Sequence, residues 1–183
     1  MEELSLHILE LAENSLRAGA SLIEIVVEED RSFNRLTIEV TDNGRGIAPA
    51  AIARFARPDA AGGDTDELGL GLSLFVRSCR EADGRVIVEN RPEGGTFLRG
   101  DMRLDHPDRK PLGDLTEAVI SLIMGAPEVE WVYRYERIGV DGSLVRREVD
   151  TRPLRRRIGE LTLAHPEVIR EIRRTLRGEN GDA

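Results

Sequence analysis

Several residue types are scarce in this chain, and each scarcity removes a class of protein. Its 183 residues include one cysteine, Cys79, which excludes an internal disulfide. Set among apolar residues, Cys79 reads as a small core side chain. Lysine is almost missing: Lys110 stands alone and every other basic residue is arginine, a bias read as genome composition rather than chemistry. Basic charge is also short, with 26 Lys and Arg against 34 Asp and Glu and a net charge of −8. That balance argues against a general nucleic-acid binder, which needs basic surface to displace counterions, so no nucleic-acid partner is expected. Arg155, Arg156 and Arg157, with Arg170, Arg173 and Arg174 behind them, read as a solvated helix face rather than a binding patch. No apolar run approaches the ~18 residues that a membrane span requires. Glu2 and Glu3 stand where a signal peptide carries basic residues. The expectation is a soluble cytoplasmic protein with no membrane partner.

What remains is 40% hydrophobic and 33% charged, enough for one ordinary domain with a small appendage. Residues 3 to 18 carry helical spacing. At about 100° per residue, Leu4, Ile8, Leu11, Ala12 and Leu16 share one side, and His7, Glu10, Asn14 and Arg17 form a polar stripe on the other. Gly19 ends the helix. Ile23, Ile25 and Val27 then alternate in strand fashion, as do Leu36, Ile38 and Val40 after a turn at Arg31 to Asn34, which predicts an antiparallel pair. The second strand runs into Asp42-Asn43-Gly44-Arg45-Gly46. Pro49 to Phe55 reads as a short helix, residues 56 to 67 as an aperiodic loop and residues 69 to 82 as a second helix. Strands follow at Val86 to Glu89 and Thr96 to Leu104. Asp105 to Pro111 reads as a linker. It divides a unit of residues 1–104 from an extension of residues 105–183, predicted as helix, hairpin and helix and packed on or beside the first unit. Trp131, Tyr133 and Tyr135 share one strand face in that hairpin, and the core reading is preferred to an exposed partner surface.

Four short boxes carry residues suited to a nucleotide. Glu10 and Asn14 lie one helical turn apart on one face. The Asn14 carbonyl is a hard oxygen suited to Mg²⁺, and the Glu10 carboxylate could orient or deprotonate a water near a γ-phosphate. Taken alone, polar residues at that spacing also mark a solvated face. Asp42 ends a strand, where a carboxylate can accept from the exocyclic amine of adenine, and Gly44 and Gly46 let a base approach the main chain. The same residues also suit a plain strand-ending turn. Gly69 and Gly71 open a helix whose free N–H groups suit an anion. Thr96 follows Gly94 and Gly95 at the start of a strand, where its hydroxyl can bond the adenine ring or a water shared with Asp42. It also suits an ordinary hairpin.

In order and spacing the four boxes resemble the GHKL, or Bergerat-fold, ATPases: gyrase, the large heat-shock chaperones, histidine kinases and MutL. The stretch Glu10-Leu-Ala-Glu-Asn14-Ser-Leu-Arg-Ala-Gly-Ala20 is especially similar to the MutL N-box, and the likeness covers residues 3 to about 104. It implies an α/β (α+β) two-layer sandwich with helices over a mixed sheet. It also implies that Glu10 is the catalytic carboxylate, Asn14 the Mg²⁺ ligand and Asp42 the adenine anchor. Gly44 and Gly46 match the base-side loop, Gly69 and Gly71 the phosphate-side loop, and Thr96 the adenine-side threonine. The implied ligands are ATP or ADP with Mg²⁺.

Two departures stand out. Arg17 occupies a position where MutL-like sequences carry an acid. The loop matching the lid is short and carries Asp59, Asp64, Asp66 and Glu67 against a single cation, Arg57. His7, His106 and His165 lack the His-Glu-x-x-x-Pro setting of a sensor-kinase phosphoacceptor, and His7 reads as a helix-surface residue or a pocket liner. The expected activity is that of a stand-alone slow ATPase or histidine kinase-like phosphotransferase, acting on or with a protein partner and open to homodimerisation. The alternative is a non-catalytic, nucleotide-gated interaction module of the anti-sigma type.

Overall fold

The computed structural model describes residues 3–55 and 70–179. Alternating apolar residues build its central sheet, which begins with β1 (Leu22–Asp30) and β2 (Arg35–Asp42). These pair antiparallel with Ile25 opposite Val40 and Ile23 opposite Asp42, so the end of β2 lies beside the start of β1. β3 (Arg85–Asn90) and β4 (Thr96–Arg103) add to β2, while β5 (Glu130–Ile138) and β6 (Leu144–Asp150) add to the other side of β1. The resulting six-stranded order is β3-β4-β2-β1-β5-β6. Only the β1–β5 pairing is parallel, which makes the sheet mixed.

Because side chains alternate along a strand, one face of this sheet is apolar and the other is charged. Ile23, Ile25, Val27, Leu36, Ile38, Leu98, Trp131 and Tyr133 are buried on the first face. On the second, Arg99 pairs with Glu39 at 3.2 Å and Arg134 with Glu148 at 3.3 Å. The helices α1 (Leu4–Arg17), α3 (Leu70–Glu81), α4 (Leu115–Gly125) and α6 (Pro166–Arg177) pack side by side over the apolar face. The short α2 (Pro49–Phe55) follows β2, and α5 (Thr151–Ile158) follows β6. This is the helices-over-a-mixed-sheet sandwich that the sequence resemblance implied.

α1 begins without a side-chain cap. Its first free N–H groups are met instead by the connecting segment: Leu4 N donates to Pro111 O at 2.8 Å and Ser5 N to Leu112 O at 2.9 Å. The segment after residue 105 therefore holds the N-terminus of α1, and its hairpin extends the sheet at β1. The three aromatics of β5 face the core: Trp131 and Tyr133 are buried, and Tyr135 packs against the cluster.

α5 is an element the sequence pattern did not separate. Pro153 lies in its first turn, where no intrahelical N–H is needed, and Asp150 caps the helix by accepting from Arg152 N at 2.9 Å. Two of the three arginines in its run reach acidic partners. Arg155 Nε donates to Glu130 at 2.7 Å, and Arg157 pairs with Glu171. On α6, Arg173 and Arg177 both pair with Glu117 of α4.

Candidate functional site

The site forms where the end of β2, the start of β4 and the C-terminal half of α1 meet. Asp42 is its centre. It is only 4% exposed, although it is a carboxylate. Burial of a charge requires hydrogen bonds to replace lost water, and three protein donors supply them. Ser15 Oγ donates to Oδ2 at 2.8 Å. Gly44 N donates to Oδ1 at 2.8 Å and Thr96 N to the same oxygen at 3.3 Å. An ionised carboxylate offers about four lone-pair sites, so one on Oδ2 stays open to a further donor.

Ser15 ties this carboxylate to α1, and α1 carries the other two expected residues. Asn14 is adjacent, partly buried at the helix end, and its Oδ1 accepts from Arg17 Nη2. Glu10 lies one turn earlier. Its side chain is 43% exposed, but Oε2 turns inward, buried and without a hydrogen-bond partner among the described residues. That oxygen lies 3.8 Å from His7 Nδ1.

His7 is not the surface residue that its place on the polar stripe suggested. It is 1% exposed, hydrogen-bonded through Nε2 to Ser78 Oγ at 3.0 Å and tilted against the Phe75 ring. The cause is tertiary: α3 packs across α1 and covers the part of the stripe nearest His7. Gly71, in the first turn of α3, is what permits this closeness. A Cβ there would stand 2.6 Å from Glu10 Cβ and 2.9 Å from Glu10 Oε2. Gly71 thus brings the start of α3 against the Glu10 side chain. Gly69 and the acidic loop of residues 56–68 lie outside the described residues.

The base-side loop is held by contacts that residue types alone did not show. Asn43 is a brace: its Oδ1 accepts from Ser21 N at 2.9 Å and Leu22 N at 3.0 Å, and its Nδ2 donates to Ser21 Oγ. Arg45 N donates to Ala18 O at 3.0 Å, joining the loop to the end of α1. Gly46 adopts φ +76, a left-handed conformation that favours glycine, and a Cβ there would meet Asn90 Oδ1 at 2.7 Å. Arg91, in the β3–β4 turn, donates from Nη1 to Asp42 O at 3.3 Å and pairs with Glu93. The Glu93 carboxyl is held below its ordinary range by its own backbone N–H and by Arg91.

The structure therefore gathers Glu10, Asn14, Asp42, Gly44, Gly46, Gly71 and Thr96 along one connected path from α3 through α1 to the strand ends. Sequence reasoning missed Ser15, Asn43, Ser78 and Asn90 as members of this neighbourhood, and held His7 only as one of two readings. Ser15 had one available signal, its place beside Asn14. For Ser78 and Asn90 there was none, because their partners are 71 and 43 residues away.

An acidic residue buried at a strand end and bonded to a helix hydroxyl, under helices packed over a mixed sheet, agrees with a domain of the GHKL class. The profile of the histidine kinase-, DNA gyrase B-, and HSP90-like ATPases matches residues 2–107, and the chain belongs to that family. It is 33% identical over 89 residues to the signal transduction histidine-protein kinase AfsQ2 of Streptomyces coelicolor, an alignment covering 46% of this chain and 16% of the relative. It is 30% identical over 107 residues to the non-motile and phage-resistance protein of Caulobacter vibrioides, covering 56% of this chain and 13% of that protein. The chain thus spans under a fifth of the length of these curated relatives. Among solved structures, the N-terminal domain of a DNA repair protein superposes with a TM-score of 0.52 at 18% identity, covering 81% of this chain and 53% of the other, which shows the shared fold. Membership of this family supports ATP binding and activity of the ATPase or kinase type in general. Among the described residues, no helix is long and apolar enough to cross a membrane.

Proposed function

We propose that this chain binds Mg²⁺-ATP with the adenine amine on Asp42, and that it hydrolyses ATP slowly or passes its γ-phosphoryl group to a protein partner. The observation that carries this reading is the open lone pair of a buried carboxylate whose other acceptor positions are filled by Ser15, Gly44 and Thr96. A carboxylate in that state accepts from an amino-purine and opposes the carbonyl of guanine. Gly44 and Gly46 form the base-side loop beside it, and Thr96 closes the adenine side.

Asn14 is the residue suited to hold Mg²⁺, a hard cation that takes amide, phosphate and water oxygens and would neutralise phosphate charge there. Its Oδ1 now accepts from Arg17, so metal ligation competes with that bond. Glu10 suits the role of general base because Oε2 is buried with an unused acceptor position. In the hydrolytic step, water forms a bond to the γ-phosphorus, the bond to the β–γ bridging oxygen breaks with its electron pair leaving on ADP, and Glu10 takes the water proton. The first turn of α3, at Gly71, is assigned to the phosphates through free N–H groups, and the sequence expectation for Gly69 lies outside the described residues.

We read residues 105–183 as an extension packed on a nucleotide-binding unit of residues 1–104. One observation favours a nucleotide-gated, non-catalytic module of the anti-sigma type instead: Arg17 occupies the oxygen that the metal needs. Turnover separates the two. Titration with ATP, ADP and GTP, with and without Mg²⁺, is expected to show adenine preference, and equal affinity for GTP would refute the base assignment. Glu10→Gln is expected to abolish turnover while ATP still binds. Turnover at the wild-type rate in that variant would refute its role as base.

A further inference from the structure

We propose that Asn90 is a positioning residue for base recognition: its side-chain amide clamps the main chain of Ile47 and so fixes the loop from Asn43 to Ile47 beside Asp42. This rests on the assignment of the adenine amine to Asp42. Asn90 Oδ1 accepts from Ile47 N at 2.8 Å, and Asn90 Nδ2 donates to Ile47 O at 2.7 Å. One primary amide thus satisfies both polar groups of a single residue, a two-point contact that defines orientation as well as distance.

The loop needs an external hold. It leaves β2 at Asp42 and enters α2 only at Pro49, and from residue 43 to residue 48 it belongs to neither helix nor strand. Gly46 is in the left-handed region, where glycine is the residue with most conformational freedom to lose. Its absent side chain leaves the space that the Asn90 amide fills. Asn90 ends β3 and pairs with Thr96 at the start of β4, so the clamp is anchored on the strand pair that also supplies the Thr96 N–H to Asp42. Its neighbour Arg91 reaches Asp42 O at 3.3 Å. The β3–β4 turn therefore grips the loop at both ends, at Asp42 and at Ile47. Without Asn90, the loop would have to be ordered when a nucleotide binds, and that ordering would be subtracted from affinity.

The test compares wild type, Asn90→Ala, Glu89→Ala and Asp42→Asn, with thermal melting to confirm folding. Asn90→Ala is expected to speed hydrogen exchange at the Ile47 amide in the nucleotide-free protein and, with part of the two lost bonds felt as loop ordering on binding, to weaken ADP binding about tenfold. The ratio of ADP to GDP affinity should fall with it, and KM for ATP should rise by a larger factor than kcat falls. Glu89→Ala, exposed on the same strand, should leave Ile47 exchange and ADP affinity as in wild type. The proposal is overturned by unchanged Ile47 exchange, by faster exchange with ADP affinity still within about twofold of wild type, or by a fall in kcat at constant KM. If Asp42→Asn leaves ADP affinity intact, the adenine assignment itself fails, whatever Asn90→Ala does.

Discussion

Replacing Asp42 by Asn separates a structural carboxylate from a ligand-binding one. Two protein donors, Gly44 N and Thr96 N, converge on Oδ1, and a third, the Ser15 hydroxyl, reaches Oδ2. An asparagine can keep its carbonyl oxygen on the two backbone N–H groups and turn its NH₂ to Ser15, whose hydroxyl rotates to accept. The internal network then survives, and the folded state is expected to lose only about 1 kcal/mol, the difference between charged and neutral hydrogen bonds. Toward a nucleotide the change is larger. The open acceptor becomes a donor facing the adenine amine, so a charge-assisted bond of about 1.5–3 kcal/mol is lost and a donor-to-donor contact replaces it. Together these weaken ADP binding about 30- to 1,000-fold. Calorimetric titration with ADP, beside a melting curve, measures both quantities on one sample. A variant that melts far below wild type yet binds ADP normally would refute the reasoning, since it would make Asp42 a purely structural group.

Three further outcomes follow from named contacts. Arg17→Ala removes the donor on Asn14 Oδ1 and should lower the Mg²⁺ concentration for half-maximal ATP binding about two- to fivefold, the range of an exposed polar pair, with unchanged or weaker Mg²⁺ dependence counting against metal ligation there. Gly71→Ala places a Cβ 2.6 Å from Glu10 Cβ, so the overpacked α1–α3 contact should cost about 1–3 kcal/mol in urea unfolding, and an unchanged midpoint would show that the helices do not meet as described. Burial, aided by Asp101, pushes the Cys79 thiol from 9.0 up to about 12. The folded state then keeps a proton that the unfolded chain loses, so stability should be intact below pH 9 and fall as pH rises toward 12, by at most about 1.4 kcal/mol per pH unit from this group. Cys79→Ala should flatten that fall, and an identical alkaline profile in the variant would refute it.

The helix and strand boundaries were legible because each element advertises itself locally. The 3.6-residue spacing of Leu4, Ile8 and Leu11 and the alternation of Ile23, Ile25 and Val27 depend on nothing distant, and the four boxes keep their order in the chain whatever the fold does. The sequence by itself therefore determined the element types of the described part of the first hundred residues, the family and the place of Asp42 beside Gly44 and Thr96 in the candidate set. Only the tertiary structure decided which side of α1 meets solvent. α3 covers His7 and brings Gly71 against Glu10, a consequence of helix packing that periodicity within α1 cannot express. It likewise decided that the hairpin of residues 130–150 pairs in parallel with β1, because register is fixed by partner strands rather than by the alternation of a strand alone. Ser15, Asn43 and Asn90 are ordinary polar residues until folding brings their partners within 3.0 Å, and long-range hydrogen bonds leave no periodic trace in a sequence.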